Sequence, residues 1–389
     1  MTASSQTPIL DREQPLPPPR PARGGMHVVI VVWGLILAAA AAGVATGHPP
    51  AWRRFVLHDV PAWAAERGVG IAAVQTLLAL LAITLVMLAF HEGGHALGGL
   101  AAGFRFESLR IGPLKLDRRN GLTLHRRLLD AYNGVAVMAP DSTERLAQRG
   151  RLLLWGGPVA NVVSGALVLL TPVARGPALL GFAIMSVLNG LSDLLPYRSR
   201  LGVSDGRCLW ALYRHPARGE RWLALMRLQI DLTNGVLPEA LPAEFIDKAV
   251  AVRDDSIDTV AAHAFAFSSA FHRRADDEAA RMLETCLATS PAAPVALRTA
   301  LIADAGVFQA RRRGRADLAE GWLSELPAAG APEQRARVEA AIRQARGDRP
   351  GALEKLAELE RATAAEPDPV RRELLLRLLE RWRAELAEQ

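Results

Sequence analysis

The sequence predicts a mainly α-helical protein: a polytopic membrane helix bundle of about four spans, with a small β-hairpin in one loop, followed by a soluble all-α domain that resembles helical repeats. Three observations support this fold class. Half of the 389 residues are apolar, only 5% are aromatic, and the abundance of alanine and leucine favours helices. Four apolar runs of roughly 20 residues match the hydrocarbon thickness of a bilayer. From about Pro216 the sequence becomes charged and alanine-rich, without any run of that length.

The four apolar runs define the predicted membrane region, which spans residues 26–210. The predicted spans are residues 26–45, 69–101, 152–173 and 176–195. Residues 1–25 are rich in proline, arginine and polar groups, so we expect a disordered tail rather than a cleaved signal.

The distribution of basic residues predicts the orientation of the spans. Arginine and lysine concentrate before the first span, in the loop after the second and behind the fourth, and such regions stay in the cytoplasm. We therefore expect an integral multi-pass protein of the cell (inner) membrane, embedded in the lipid bilayer, with both termini cytoplasmic. This asymmetry also accounts for the net charge of +6, so we do not expect nucleic acid as a partner.

The second predicted span carries a metal-binding pattern. Within A-F-H-E-G-G-H-A-L, His91 and His95 lie four residues apart, so on a helix both imidazoles can face one ion. Glu92 lies about 100° around the helix from His91, beside the ion but free to transfer a proton. Ionisable groups inside an apolar span are costly and usually mark function.

A catalytic zinc usually has three protein ligands and one open position. Asp205 is the preferred third ligand, because it follows the fourth span on the same cytoplasmic side as His91, and Gly206 would let the backbone turn beside an ion. Asp193, the only charge in the fourth span, is the rival. The full set of candidates is Glu107, His125, Asp193 and Asp205.

Several motifs occur in the order typical of one family. H-E-G-G-H is followed by F-R-F-E-S-L-R-I-G-P-L-K-L, then by G-G-P-V-A-N at residues 156–161, then by D-L-L-P-Y-R-S-R-L-G-V-S-D-G. In this respect the chain resembles the site-2 protease family of intramembrane zinc metalloproteases over roughly residues 71–210. The resemblance implies that Asp205 is the third zinc ligand and Glu92 the catalytic acid and base.

The resemblance also draws attention to three polar residues near the site. Asn161 corresponds to the asparagine of the family's G-P-x-x-N motif and is either a helix-packing residue or part of the substrate channel. Asp193 stands where the family typically has asparagine, while Asn189 lies one helical turn earlier. Asp193 is expected either to hold a zinc histidine or to face water at a helix end.

Residues 105–125 are predicted to form a β-hairpin, because they alternate in hydrophobicity and contain the turn dipeptide Asn120-Gly121. It is either a plain surface hairpin or an edge to which an unwound substrate adds as a strand.

Residues 216–389 are predicted to form a cytoplasmic domain of paired helices. A weak repeat relates Gly314, Ala319, Leu323 and Leu326 to Gly347, Ala352, Leu356 and Leu359, 33 residues later. The period resembles tetratricopeptide-type repeats, which often bind a protein partner; a non-repetitive bundle is the alternative. The predicted helices are 219–233, 243–252, 256–272, 276–289, 293–311, 315–326, 332–345, 350–363 and 368–387.

Taken together, these patterns predict an intramembrane metalloprotease with one zinc ion (Zn2+) per chain, which cuts a membrane-spanning segment of another protein. A catalytically silent scaffold that recruits partners through its helical domain is the main alternative, and the intact H-E-x-x-H argues against it. A metal transporter or sensor would need polar groups across the whole bilayer, which the outer halves of the spans lack.

Overall fold

The computed structural model describes residues 9–11, 65–66, 68–124, 134–171, 177–197, 203–327 and 331–388. The chain divides into two compact units. One comprises residues 23–219, and the other comprises residues 1–22 together with 220–389.

Four helices form the frame of the first unit: α1 (Val69–Ala101), α2 (Leu146–Leu169), α3 (Pro177–Asp193) and α4 (Asp205–Arg214). Two of them, α1 and α2, are long and apolar enough to cross a membrane. They correspond to the predicted spans 69–101 and 152–173, although α2 begins and ends earlier than predicted.

Of the other two predicted spans, one is a shorter helix and one lies outside the described residues. The apolar helix α3 has 17 residues, or about 26 Å at helical rise, which is shorter than the hydrocarbon core. Residues 26–45 lie outside the described residues. Among the described residues, two helices therefore have the length and composition that a crossing needs.

The surface of α1 suits a lipid environment. Large apolar side chains are exposed along its first two thirds, where a soluble protein would bury them or replace them with polar groups. They include Ile71, Val74, Leu77, Leu78, Leu80 and Val86, which are between 47% and 61% exposed.

Glycines allow α1 and α2 to pack with their backbones in contact. A Cβ atom at Gly94 would clash with the carbonyl oxygen of Gly156, and one at Gly98 would lie 2.5 Å from the carbonyl oxygen of Leu152. Small residues at such positions permit close helix approach. Gly94, Gly98 and Gly156 therefore allow the close contact between α1 and α2.

The predicted hairpin is part of a larger antiparallel sheet. Its strands are β1 (Arg105–Ile111), β2 (Leu114–Asp117), β3 (Gly121–Leu124) and β4 (Gly134–Ala139), in the order β3-β2-β1-β4. The β2–β3 connection contains the expected Asn120-Gly121 turn, with Gly121 at φ +68°. The prediction of one hairpin was incomplete, because β4 pairs with the other side of β1.

The second unit is built from helices with a shared apolar core. Its helices are α5 (Pro216–Thr233, from Glu220 onward), α6 (Ala243–Val250), α7 (Ile257–His272), α8 (Asp276–Thr289), α9 (Val295–Arg313), α10 (Ala316–Glu325), α11 (Pro332–Ala345), α12 (Arg349–Ala364) and α13 (Pro369–Glu388). Short 3-10 turns at Pro238–Ala240 and Ser290–Ala292 join some of them.

The 33-residue recurrence has a structural counterpart in this unit. Gly314 ends α9 at φ +65°, and Gly347 follows α11 at φ +78°, so each lets the chain reverse into the next helix. Ala319 and Ala352 are both fully buried on those next helices. In both pairs, α9–α10 and α11–α12, a glycine with a positive φ angle thus precedes a helix that buries an alanine.

The prediction of a wholly disordered N-terminal tail was wrong at Ile9–Asp11. These residues form a 3-10 turn, and Leu10 is only 2% exposed within the core of the second unit. The remainder of residues 1–25 lies outside the described residues.

Candidate metal centre

Helix α1 presents the three polar residues of its motif to the interior of the first unit. His91 and Glu92 are each 7% exposed and His95 is 9% exposed. Because His91 and His95 are four residues apart on a regular helix, their rings stack on one face, with centroids 4.7 Å apart.

Asp205, the first residue of α4, lies beside these histidines although it is distant from them in sequence. Ser204 caps α4 by accepting a hydrogen bond from the Arg207 amide, so the Asp205 carboxylate is not needed as the cap. The Ser204 hydroxyl also donates to the carbonyl of Leu195 and accepts from the amide of Tyr197, at 2.7 and 3.1 Å. This link between the end of α3 and the start of α4 fixes the position of Asp205.

Gly206 contributes through close packing rather than through a turn. It lies inside α4, and a Cβ atom there would clash with the carbonyl of Leu194. The expected sharp turn at Gly206 was wrong: Gly206 is not among the residues with positive φ. Its lack of a side chain lets α4 approach the end of α3.

Three potential ligand atoms converge on one point. The Nε2 atoms of His91 and His95 are 3.1 Å apart, and Asp205 Oδ2 lies 3.3 Å from the first and 3.0 Å from the second. Ligand atoms about 2.05 Å from one ion at a tetrahedral angle lie about 3.3 Å from each other. This group can hold a metal ion.

Asp205 Oδ2 itself supports this interpretation. It is buried and accepts no well-formed hydrogen bond from any described residue. A buried carboxylate oxygen without a donor is costly, and a cation bound between it and the two imidazoles would remove that cost.

The tautomer of His95 is set by the main chain of α2. Its Nδ1 lies 2.8 Å from the carbonyl oxygen of Leu153 and 3.3 Å from the amide nitrogen of Gly157. The shorter contact is with the carbonyl, which can only accept, so Nδ1 carries the proton and Nε2 keeps a free lone pair. A Cβ atom at Gly157 would clash with the ring. Gly157 therefore makes room for His95 against α2.

Asn161 is the residue that can set the tautomer of His91. Its amide group lies 3.2 Å from His91 Nδ1, and the atom facing the ring is Nδ2, while Oδ1 is buried without a partner. The two amide atoms exchange places by a half-turn of the terminal torsion. After that turn, Oδ1 accepts from Nδ1–H, which satisfies the orphaned oxygen and frees Nε2 for a metal.

The three rival ligands, Asp193, Glu107 and His125, are less well placed or lie outside the described residues. Asp193 Oδ2 lies 3.2 Å from His91 Nε2 but does not belong to the three-residue group, so Asp205 is the better ligand. Glu107 is paired with Arg105 at 2.5 Å, and His125 lies outside the described residues. The side chain of Asn189 makes no hydrogen bond with any described residue.

Glu92 lies between the ligands and strand β4. It is close enough to interact electrostatically with His91, His95 and Asp205, and a Cβ atom at Gly134 of β4 would lie 2.6 Å from its carboxylate. Sequence reasoning missed this strand. The alternation in G-V-A-V-M-A was the available signal, but its small residues resemble the neighbouring helical segments.

Tyr197 was also missed. Burial raises the pKa of its hydroxyl, and the nearby carboxylates of Asp193 and Asp205 raise it further. The hydroxyl therefore stays protonated and can donate a hydrogen bond in this region.

Comparison with protein-family models, with curated proteins and with solved structures finds no match for this chain. Function is therefore inferred from the metal centre, the motifs and the membrane-length helices.

Proposed function

We propose that this protein is an intramembrane zinc metalloprotease of the site-2 protease type. The observation that carries the proposal is the convergence of His91 and His95 with Asp205 of α4, beside Glu92. His91, Glu92 and His95 belong to α1, which is long and apolar enough to cross a membrane. In this proposal the chain is a multi-pass membrane protein with both termini in the cytoplasm, and its substrate is a membrane-spanning segment of another protein.

Zinc fits this donor set better than calcium or magnesium. Two imidazoles and one carboxylate suit zinc, whereas the harder ions prefer oxygen ligands only. When bound, the ion would supply Lewis-acid activation of water and of a peptide carbonyl. Asn161 and the Leu153 carbonyl would hold the two histidines in the metal-binding tautomer.

Glu92 is the residue that moves the proton in the proposed reaction. It is close enough to interact with all three ligands but is not one of them. It would accept a proton from the attacking water and return it to the leaving amine. A buried carboxylate beside a positively charged centre is suited to this double role.

The sheet offers a way to present an extended substrate to Glu92. Among the described strands, β4 pairs with β1 alone, so its other edge has no strand partner. Glu92 lies against Gly134, the first residue of β4, so the strand runs beside the proposed catalytic group. A helical substrate that unwinds could add to β4 by main-chain hydrogen bonds.

The direct test is Glu92→Gln. The variant should bind zinc with wild-type stoichiometry, since Glu92 is not a ligand, but should lose proteolysis by several orders of magnitude. Membrane proteins shortened near a membrane-spanning segment would be compared by mass spectrometry between cells that express the wild type and the variant. His95→Ala, which removes a ligand, should lose both zinc and cleavage.

Two outcomes would contradict the proposal. Equal cleavage by the Glu92→Gln variant would remove Glu92 from the chemistry. A zinc-loaded wild type that leaves the membrane proteome unchanged would favour the scaffold function.

A further inference from the structure

The N-terminal residues Ile9–Asp11 occupy a defined place in the second unit. Leu10 is 2% exposed and lies within the main apolar cluster of that unit, with Ile9 packed against the cluster's edge. The segment contacts helix α8 and lies more than 270 residues from it in sequence. Burying this three-residue turn is favourable only if its main-chain polar groups also form hydrogen bonds.

A carboxylate satisfies the amide end of the segment. The main-chain N–H groups of Ile9 and Leu10 both donate to Glu284, at 2.5 and 3.0 Å to its two carboxylate oxygens. Because both bonds go to the main chain, Glu284 recognises the backbone of this turn, while the packing of Ile9 against the apolar cluster favours an apolar side chain at the first position.

The carbonyl end is bound by side chains from α9 and α10. The Leu10 carbonyl accepts from Gln309 Nε2 at 2.7 Å and from Trp322 Nε1 at 3.3 Å. The carboxylate of Asp11 accepts from the same Gln309 amide at 2.9 Å and from Arg313 at 2.8 Å. The site therefore reads an acidic residue directly after the buried leucine.

The side chain of Gln309 indicates that this part of the second unit requires a bound segment. Its side chain is fully buried on a helix whose neighbouring buried residues are apolar, and both hydrogen bonds of its amide nitrogen go to the N-terminal segment. With the segment gone, that nitrogen would be a buried donor without a partner in the described structure, which is costly.

We propose that Glu284, Gln309, Arg313 and Trp322 form a receptor site for short peptides in the second unit, and that the chain's own Ile9–Asp11 is its resident ligand. The ligand class is an apolar residue followed by leucine and an acidic residue. Binding is reversible, so a competing peptide of the same chemistry releases the N-terminal tail. This proposal does not depend on proteolytic activity.

The test is limited trypsin digestion of the full chain in nanodiscs that hold one chain each. Trypsin cuts after Arg12, next to the docked residues, and after Arg23, whose rate serves as the internal reference. Cleavage after Arg12 should be slow in the wild type and about tenfold or more faster in Leu10→Asp, because a carboxylate is not tolerated in an apolar pocket. Leu10→Met should keep the protection.

Matched variants separate recognition from general packing. Gln309→Met keeps the volume but removes the amide, and should also speed cleavage after Arg12, whereas Gln334→Met, which makes the same change away from the segment, should not. A synthetic peptide S-Q-T-P-I-L-D-amide in excess should speed cleavage in the wild type, and its Leu→Asp version should have no effect.

Three results would overturn the proposal. The first is equally fast cleavage after Arg12 in the wild type and in Leu10→Asp. The second is unchanged protection in Gln309→Met while the variant stays folded by circular dichroism. The third is the failure of the peptide to release the tail at any concentration, which would make the segment a fixed part of the core.

Discussion

Replacing Asn161 tests how the metal centre is preorganised. Asn161→Ala removes the group that lies 3.2 Å from His91 Nδ1 and leaves the three proposed ligands untouched. Loss of such an outer hydrogen bond typically weakens metal binding about 10- to 100-fold, which equals about 1.4 to 2.7 kcal/mol. Asn161→Asp should restore the affinity. A carboxylate can only accept a hydrogen bond, so it would keep the proton on His91 Nδ1 and leave Nε2 free to bind the metal.

The assay is competition for zinc between the purified chain and a chelator of known affinity. Ser164→Ala serves as the control, since Ser164 is on the same helix and donates only to the Asn161 carbonyl; it should keep wild-type affinity. The reasoning is refuted if Asn161→Ala binds zinc as tightly as the wild type, or if Asn161→Asp is as weak as Asn161→Ala.

Three further predictions follow from the geometry. Asp205→Ala should lose zinc far more completely than Asp193→Ala, because only Asp205 lies within 3.3 Å of both imidazoles; equal zinc contents in the two variants would reverse the ligand assignment. Gly134→Ala should reduce proteolysis but keep zinc, since a Cβ atom there would lie 2.6 Å from the Glu92 carboxylate; undiminished cleavage would show that Glu92 has room to move. Burial and, less strongly, neighbouring arginines lower the pKa of His272 to about 4, although Glu239 opposes the shift. The unfolded chain therefore binds more protons below the ordinary value of 6.5. The free energy of unfolding of the second unit should fall by about 2 to 3 kcal/mol as the pH drops from 7 to 4. His272→Gln should lose this component in denaturant titrations at the two pH values, and identical pH dependence in wild type and variant would refute it.

The helices of the second unit were predictable because the residues that begin and end each helix are recognisable in the local sequence. Residues 276–289 and 332–345 form helices over the predicted ranges, and the others agree to within a few residues. Their amphipathic patterns are local, and Pro or Gly residues separate them, so no tertiary information was needed.

The ligand group was predictable for a different reason. His91 and His95 follow from helical spacing, and Asp205 follows from the side of the membrane on which it was expected. Only the resemblance to the protease family drew attention to Asn161. Its contact with His91 could not be predicted, because it depends on the glycine-mediated approach of α1 and α2, which fixes the register between the two helices.

Strand β4 and the docked N-terminal segment could not be predicted from local sequence. The six residues of β4 are stable only because β1 lies beside them. The segment Ile9–Asp11 has too few residues for any periodic pattern, and its partners are distributed over three helices of the second unit. In both cases the information lies in long-range contacts.

The burial of Leu10 also constrains how many times the polypeptide crosses the bilayer. A tail held by the second unit shares a compartment with it, so the crossings between Asp11 and Glu220 must add up to an even number. In the proposed membrane topology, the two membrane-length helices α1 and α2 satisfy that parity.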